Sequence, residues 1–282
     1  MTGTETQAIE RDFHFSERDF AHVRRLIHHH AGINLSEAKR EMVYSRLTRR
    51  LRAIGERSFS AYLEQLQVGV GAEWEAFVNA LTTNLTAFFR EPHHFDALRE
   101  FLRRREHPAS IWCCAASTGE EPYSILITAQ QAAAGAGKPV RLLATDIDTN
   151  VLAKARAGVY DLEQAQKLPP EVLRRFFLRG TGANTNKVRV RPELQQLVEF
   201  RQLNLLDKDW GLRGPFDAIF CRNVMIYFDK ATQLGILRRF APLLRSDGLL
   251  FVGHSESFTH ATDLFRLQGK TIYQPVCGSG SA

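Results

Sequence analysis

The chain has 282 residues and a formal net charge of +6, with 44% apolar and 24% charged residues. That length makes one large domain or two smaller ones with a substantial buried core, so disorder as the dominant state is excluded. No run approaches the ~20 consecutive apolar residues that cross a bilayer, and the polar, acid-bearing MTGTETQAIERDFHF start is unlike a signal peptide, so a cytoplasmic location is expected.

Residues up to about Glu106 read as helical throughout, in segments separated by glycines or polar breaks: SERDFAHVRRLIHHHAG, SEAKREMVYSRLTRRLRAIG, SFSAYLEQLQ, AEWEAFVNALTTNLTAFF and PHHFDALREFLRRR. The second segment predicts a helix from Ser36, as its cap, to Ile54, with Gly55 closing it. Between Lys39 and Arg57 it holds seven basic residues against two acids, a local excess of +5. Lys39, Arg46, Arg49 and Arg50 share about a quarter-turn beside the apolar stripe Val43, Leu47, Leu51 and Ile54. One face is therefore core and its neighbour a basic ridge, either an ordinary solvated face or a surface for an acidic partner. With only Tyr44 available for stacking, nucleic acid is disfavoured as that partner.

From Ser110 the pattern changes to strand, helix, strand, helix: IWCCAAS, EEPYSILITAQQAAA with Pro122 in its first turn, a GAGKP break, VRLLATDID and NVLAKARAGVY. Parallel strands with crossover helices imply a doubly wound α/β sheet. LPPEVLRRFFLRGTGANTNKVRVRPELQQLVEFRQLNLLD then interrupts the alternation with a short helix, a turn-rich stretch and two alternating segments, KVRVR and LVEFRQLN, that suit an antiparallel ribbon. The sheet resumes with FDAIFCRN, a helix DKATQLGILRRFAPLL, the strand LLFVGHSES after Ser246-Asp247-Gly248, and a last strand KTIYQPV, ahead of a GSGSA tail read as flexible. Of the four cysteines, Cys113, Cys114 and Cys221 lie in these apolar strands; with Cys277 they form no C-x-x-C pair, so neither a zinc ribbon nor a disulfide framework is expected.

In an open α/β sheet, ligands bind beyond the carboxyl ends of the strands. After the first strand comes Ala116-Ser117-Thr118-Gly119-Glu120-Glu121, with one glycine and two carboxylates where a dinucleotide site needs G-x-G-x-x-G. Two acids at a helix N-terminus suit the helix dipole and repel phosphate, which disfavours NAD, FAD and ATP. A positively charged nucleoside without phosphate, such as S-adenosylmethionine, fits better. Asp146, closing the second strand 27 residues after Gly119, stands where an acid takes up ribose hydroxyls. Capping acids on an unrelated α/β fold are the plain alternative.

Read together, LTTNLTAFFRE (81–91), ASTGEEPYS (116–124), ATDID (144–148) and FCRNVMIYFD (220–229) resemble the signature segments of the chemotaxis receptor methyltransferases, the CheR family, in that family's order. The resemblance covers nearly the whole chain. It implies a helical receptor-docking domain at 1–80, a linker and helix at 81–106 contacting the cofactor, and a Rossmann-like methyltransferase domain at 107–282 with a β-ribbon insertion at about 165–203. The implied activity is transfer of a methyl group from S-adenosylmethionine to glutamate carboxylates on chemoreceptor helices by a monomer, with no metal, nucleic acid or membrane insertion.

The resemblance further implies that Asn84, Thr86 and Arg90 reach the cofactor, that Glu121 (or its neighbour Glu120) and Asp146 grip it, that Asn204 and Leu205 border the adenine, and that Arg222 and Asn223 line the floor near the methyl group. Arg90 and Tyr227 are placed closest to the transfer. The plain readings of these positions are helix capping near Pro92 for Asn84 and Thr86, and packing for Tyr227. Arg46, Arg49 and Arg50 would hold an acidic receptor helix, and the insertion, with Gly180 and Gly182 at its turn, resembles the part that captures a receptor C-terminal peptide in some members. Two other readings stay open: a methyltransferase acting on RNA or a small molecule, and a non-catalytic module that senses the cofactor. The clusters His28-His29-His30 and His93-His94 lack an H-x-x-x-H partner or nearby acids in a ligand arrangement, and read as surface or helix-end histidines.

Overall fold

The computed structural model describes residues 12–69, 71–133 and 139–276. The chain divides into two compact units between Thr82 and Thr83. The GAGKP break, apart from Pro139, and the GSGSA tail with Cys277 lie outside the described residues.

The first unit holds α1 (Glu17–Ala31), α2 (Arg40–Ile54), α3 (Phe59–Val68) and α4 (Ala72–Leu81). A capping box starts α1: the Ser16 hydroxyl accepts from the Asp19 amide, and the Asp19 carboxylate accepts from the Ser16 amide. Of the stripe predicted on α2, Val43, Leu47 and Leu51 are fully buried, as are Val23, Ile27 and Phe77 of the neighbouring helices, while Ile54 at the helix end is 39% exposed. Two expectations about helix ends change. Ser36 does not cap α2 through its side chain; a single 3-10 turn, Glu37–Lys39, comes first. The helix expected to run to Phe89 stops at Leu81, because the Arg46 guanidinium from α2 takes the carbonyls of Ala80 and Thr82 and the chain leaves Thr82 extended. The basic ridge is thereby divided. Arg46 serves as that C-terminal cap, Arg50 forks onto Glu73 with its Nε at 2.9 Å, and Glu73 also accepts from the Tyr62 hydroxyl at 2.8 Å. Arg49 is exposed.

The second unit begins with α5 (His93–Arg103) and alternates through β1 (Ala109–Cys114), α6 (Glu120–Ala132), β2 (Val140–Asp146) and α7 (Thr149–Ala157). Then follow β3 (Val159–Asp161), α8 (Leu162–Ala165), α9 (Pro170–Phe176), β4 (Phe177–Arg179), β5 (Lys187–Val190) and α10 (Pro192–Gln195). The chain closes with β6 (Val198–Gln202), β7 (Phe216–Cys221), α11 (Lys230–Phe240), β8 (Leu244–Val252), β9 (Phe265–Gly269) and β10 (Ile272–Pro275). Seven strands form the main sheet in the order β6-β2-β1-β7-β8-β10-β9, parallel from β6 to β8, and β3-β5-β4 form a separate antiparallel sheet. Strand β1 is buried on both faces. Ile111 and Cys113 join a cluster with Phe95, Leu98 and Ile125, while Trp112 and Cys114 join one with Leu237, Phe240 and Leu250.

The segment LVEFRQLN is not in the ribbon. It forms β6, parallel to β2 with Ala144 opposite Phe200, and KVRVR pairs instead with β3 and β4. Alternation reports only that one face of a strand is wet, and an edge strand of a parallel sheet has that property too. The Ser246–Gly248 stretch lies inside β8, where the register against β7 shifts from Phe216↔Leu244 to Ala218↔Leu249. Strand β9 escaped prediction because Phe265 is its one buried residue. From β1 the chain turns to β2 on one side and later to β7 on the other, so the order of strand addition reverses between the parallel neighbours β1 and β7. A ligand crevice belongs beyond their carboxyl ends.

Candidate active site

Beyond β1 the backbone enters conformations that side chains rarely adopt: Ala115, Ser117 and Gly119 have φ of 70°, 48° and 100°. Phe89 (52°), Glu91 (57°) and Asn223 (59°), which belong to the neighbouring site segments, share this left-handed region. A Cβ on Gly119 would stand 2.7 Å from the Tyr160 hydroxyl and 3.0 Å from Ala155 Cα, so only glycine fits. The turn is tied at both ends. The Ser117 amide donates to Asp146 Oδ2 at 2.8 Å and the Ser117 hydroxyl to the Asn84 carbonyl at 3.1 Å.

Asp146 is 7% exposed and also accepts from the Asp148 amide at 2.9 Å. Burial pushes its carboxyl up to about 6, against the pull of these amides. Asp148 in turn caps α7 and accepts at 2.8 Å from the Asn84 side chain, so Asn84 is not a helix cap but a link between the linker segment and the end of β2. Thr86 is half-buried on the same segment.

Glu121 and Arg222 form the floor. Arg222 donates to Glu121 Oε2 at 2.7 Å and to the Arg90 carbonyl, and lies 3.2 Å from Glu91 Oε2. Burial drives the Glu121 carboxyl above its ordinary range although Arg222 opposes it. Cys113 donates to the other Glu121 oxygen at 3.4 Å. Glu91, also partly buried, is nevertheless held down at about 2, because His254 and Arg222 outweigh its burial. Glu120 faces elsewhere, taking the Thr118 hydroxyl at 2.6 Å, and burial raises its carboxyl. The Arg90 guanidinium reaches the Leu85 carbonyl at 3.1 Å.

The turn after β7 is organised by a residue that the sequence did not single out. Glu256, 4% exposed, accepts from the amides of Asn223, Gly253 and Ile226 at 2.9, 2.6 and 3.3 Å. Gly253 leaves room for Asn223, whose side-chain nitrogen would lie 2.2 Å from any Cβ there. Tyr227 is half-buried in the following 3-10 turn. On the far side, Asn204 accepts from the Leu206 amide at 3.0 Å, and Leu205 is buried in the cluster with Trp210. Glu91, Asp148 and Glu256 were the missed members. Each is an acid inside a quoted segment, Glu91 closing LTTNLTAFFRE, Asp148 closing ATDID and Glu256 within LLFVGHSES, the signal that could have found it.

The pair His93-His94 also differs from expectation. His94 is fully buried, and Glu91, His93 and His94 each present a ligand atom within 4.8 Å of the others.

A family model described as CheR methyltransferase, SAM binding domain, matches residues 84–274, and one described as CheR methyltransferase, all-alpha domain, matches residues 18–82. The chain belongs to the CheR methyltransferase family. Chemotaxis protein methyltransferase 2 of Pseudomonas aeruginosa is 54% identical over 94% of this chain and 96% of its own length. The chemotaxis protein methyltransferases of Salmonella typhimurium and Escherichia coli K12 are 56% and 53% identical over 92% of this chain and 90% and 91% of theirs. The chain is thus a methyltransferase of chemotaxis that uses S-adenosylmethionine.

The residues present fit that cofactor. Asp146 takes the Ser117 amide on one oxygen and the Asp148 amide on the other, with the Ile147 amide also bearing on it, which leaves lone-pair capacity for ribose hydroxyls. Among the described residues Arg222 Nε is buried without an acceptor, a donor available to an amino-acid carboxylate. Glu120 and Glu121 in the first turn of α6 suit a cationic ligand and exclude a phosphate.

Proposed function

We propose that this CheR-family enzyme forms methyl esters on glutamate side chains of chemoreceptor cytoplasmic helices, working as a monomer in the cytoplasm. The observation that supports it most is the buried Glu121–Arg222–Glu91 floor beside Asp146: an acidic crevice shaped for a cationic nucleoside, next to a segment bearing Arg90 for an anionic acceptor. The bound S-adenosylmethionine supplies an electrophilic methyl group on a sulfonium. A glutamate acceptor, with a pKa of about 4.3, is already ionised at neutral pH and needs no general base. As anion and cation become neutral ester and thioether, charge disappears, so alignment in a dry crevice contributes most of the acceleration.

In this reading Asp146 takes the ribose hydroxyls, Glu121 and Arg222 the amino-acid end, and Asn204 with Leu205 the adenine edge. Asn84 and Thr86 close the linker segment over the cofactor, and Asn223 holds the floor. Arg90 releases the Leu85 carbonyl to orient the acceptor carboxylate, and the Tyr227 hydroxyl donates to it. Arg222, bonded to the Arg90 carbonyl, ties the cofactor floor to the acceptor side. A receptor helix, acidic around its target, docks on the basic face of α2. Since Arg46 and Arg50 have intramolecular partners, Arg49 carries most of that role. An edge of the β3-β5-β4 sheet takes a receptor C-terminal peptide as an added strand, with Gly180 and Gly182 at the turn after β4.

The test is a methyl-transfer assay on receptor-bearing membranes. Arg90→Ala is expected to lower transfer by about 100-fold, the scale of a misplaced reactant, and Glu120→Gln by a few-fold at most. Equal rates for the two variants would remove Arg90 from the reaction.

A further inference from the structure

The hydrogen bonding of His94 is one-sided in a way that fixes its chemistry. Its Nε2 lies 3.0 Å from the Lys270 carbonyl and 3.1 Å from the Thr271 hydroxyl oxygen. The carbonyl can only accept, and the Thr271 hydroxyl spends its proton on that same carbonyl at 2.7 Å. Both partners of Nε2 are therefore acceptors, so Nε2 holds the ring proton. Nδ1 of a neutral ring is then a bare lone pair, and it faces Glu91 Oε2 at 3.5 Å.

Two acceptors thus confront each other with no proton between them. Both atoms are buried; His94 Nδ1 has no hydrogen bond among the described residues, and Glu91 Oε2 faces the Arg222 guanidinium at 3.2 Å. Such a pair wants a cation. Its 3.5 Å separation matches the spacing of about 3.4 Å between two ligands on one tetrahedral ion with bonds near 2.1 Å. A ring nitrogen of half-buried His93 completes three ligand atoms within 4.8 Å. The second Glu91 oxygen accepts from His254 Nδ1 at 3.0 Å, the kind of outer bond that orients a ligating carboxylate.

We propose that Glu91, His93 and His94 form a binding site for a divalent transition-metal ion of the zinc class, and that its occupation inhibits methyl transfer. Two imidazoles and a carboxylate select zinc over magnesium or calcium. Arg222 lies 3.2 Å from the same Glu91 oxygen and opposes the ion, so metal and guanidinium compete for Glu91. When the ion wins, Arg222 loses one of its two carboxylates, and the floor that holds the Arg90 segment loosens.

Calorimetric titration of the chelator-stripped full chain with Zn2+ tests this without any methyl acceptor, so its failure is separable from failure of the receptor-glutamate reading. One equivalent should bind, and His93→Ala should weaken it by about 10-fold or more, about 1.4 kcal/mol. Zn2+ should also lower methyl transfer by the wild-type enzyme, and His93→Ala, active without metal, should lose that sensitivity. Equal Zn2+ affinity in the two proteins, as binding at His28-His29-His30 would give, overturns the proposal. So does a nitrogen NMR spectrum showing His94 doubly protonated at pH 7, since a proton would then fill the gap.

Discussion

Asp146 combines two properties that pull in opposite directions. It is the acid best placed for a ribose, yet burial raises its carboxyl to about 6 from an ordinary 3.8. A raised carboxyl contributes stability below its unfolded value that is lost as pH rises through the folded one, so the ionised form at neutral pH is one the empty protein resists. Hydroxyl donors from a ligand favour that ionised form. Affinity for S-adenosylhomocysteine should therefore fall by roughly 10-fold between pH 7 and pH 5. In Asp146→Asn that part of the slope should vanish, and calorimetry at several pH values would show it; an unchanged slope would assign the proton elsewhere. Glu91 shows the reverse balance: His254 and Arg222 hold its carboxylate ionised at every working pH. Asp146 stood out in the sequence because it ends a strand of the sheet, whereas Arg222, just past β7, came only from the family resemblance. Glu256 did not stand out, because its partner amide on Asn223 lies 33 residues away and amides leave no mark in a residue pattern.

At the scale of elements, the cofactor loop is buttressed by the inserted subdomain. Tyr160, on β3, donates to the Thr118 carbonyl at 2.8 Å, and its ring meets Phe88 edge-on at 4.9 Å. Tyr160→Phe removes one buried hydrogen bond, worth about 1 kcal/mol. The Michaelis constant for S-adenosylmethionine should rise about 5-fold with turnover nearly unchanged; a fall in turnover alone would place Tyr160 in the chemistry instead. The α2 ridge makes a second prediction. Arg49→Ala should change stability by less than about 0.5 kcal/mol while weakening methylation of receptors, whereas Arg46→Ala should destabilise through the uncapped end of α4. Identical receptor kinetics for Arg49→Ala and wild type would discard the ridge as a docking surface. Helical periodicity reported the α2 stripe at Val43, Leu47 and Leu51, since buried positions recur every three or four residues, but not at Ile54, which the helix end leaves exposed. It could not report that Arg46 and Arg50 reach across to α4, because their partners are set by packing. The same limit explains β6, whose alternation is as compatible with the edge of a parallel sheet as with a ribbon.

For the whole molecule, the excess of positive charge belongs to the same unit as the acidic crevice: residues 1–82 carry eleven basic and eleven acidic side chains, which leaves 26 basic against 20 acidic, the full +6, in the α/β unit. The helical unit bears the basic face of α2, and the α/β unit buries Glu120, Glu121 and Asp146, with half-buried Glu91, near its switch point. Overall charge therefore identifies neither cofactor nor acceptor, and only the local basic face of α2 bears on an acidic partner. None of the described helices is long and apolar enough to cross a membrane. The central claim is that methyl groups pass from S-adenosylmethionine to receptor carboxylates. Radiolabelled cofactor incubated with the enzyme and receptor-bearing membranes tests it most directly. The account predicts label on the receptor band that mild alkali releases as methanol, and that is absent when the target glutamates are replaced by alanine. Label that survives alkali, or that appears on RNA instead of receptor, would contradict it.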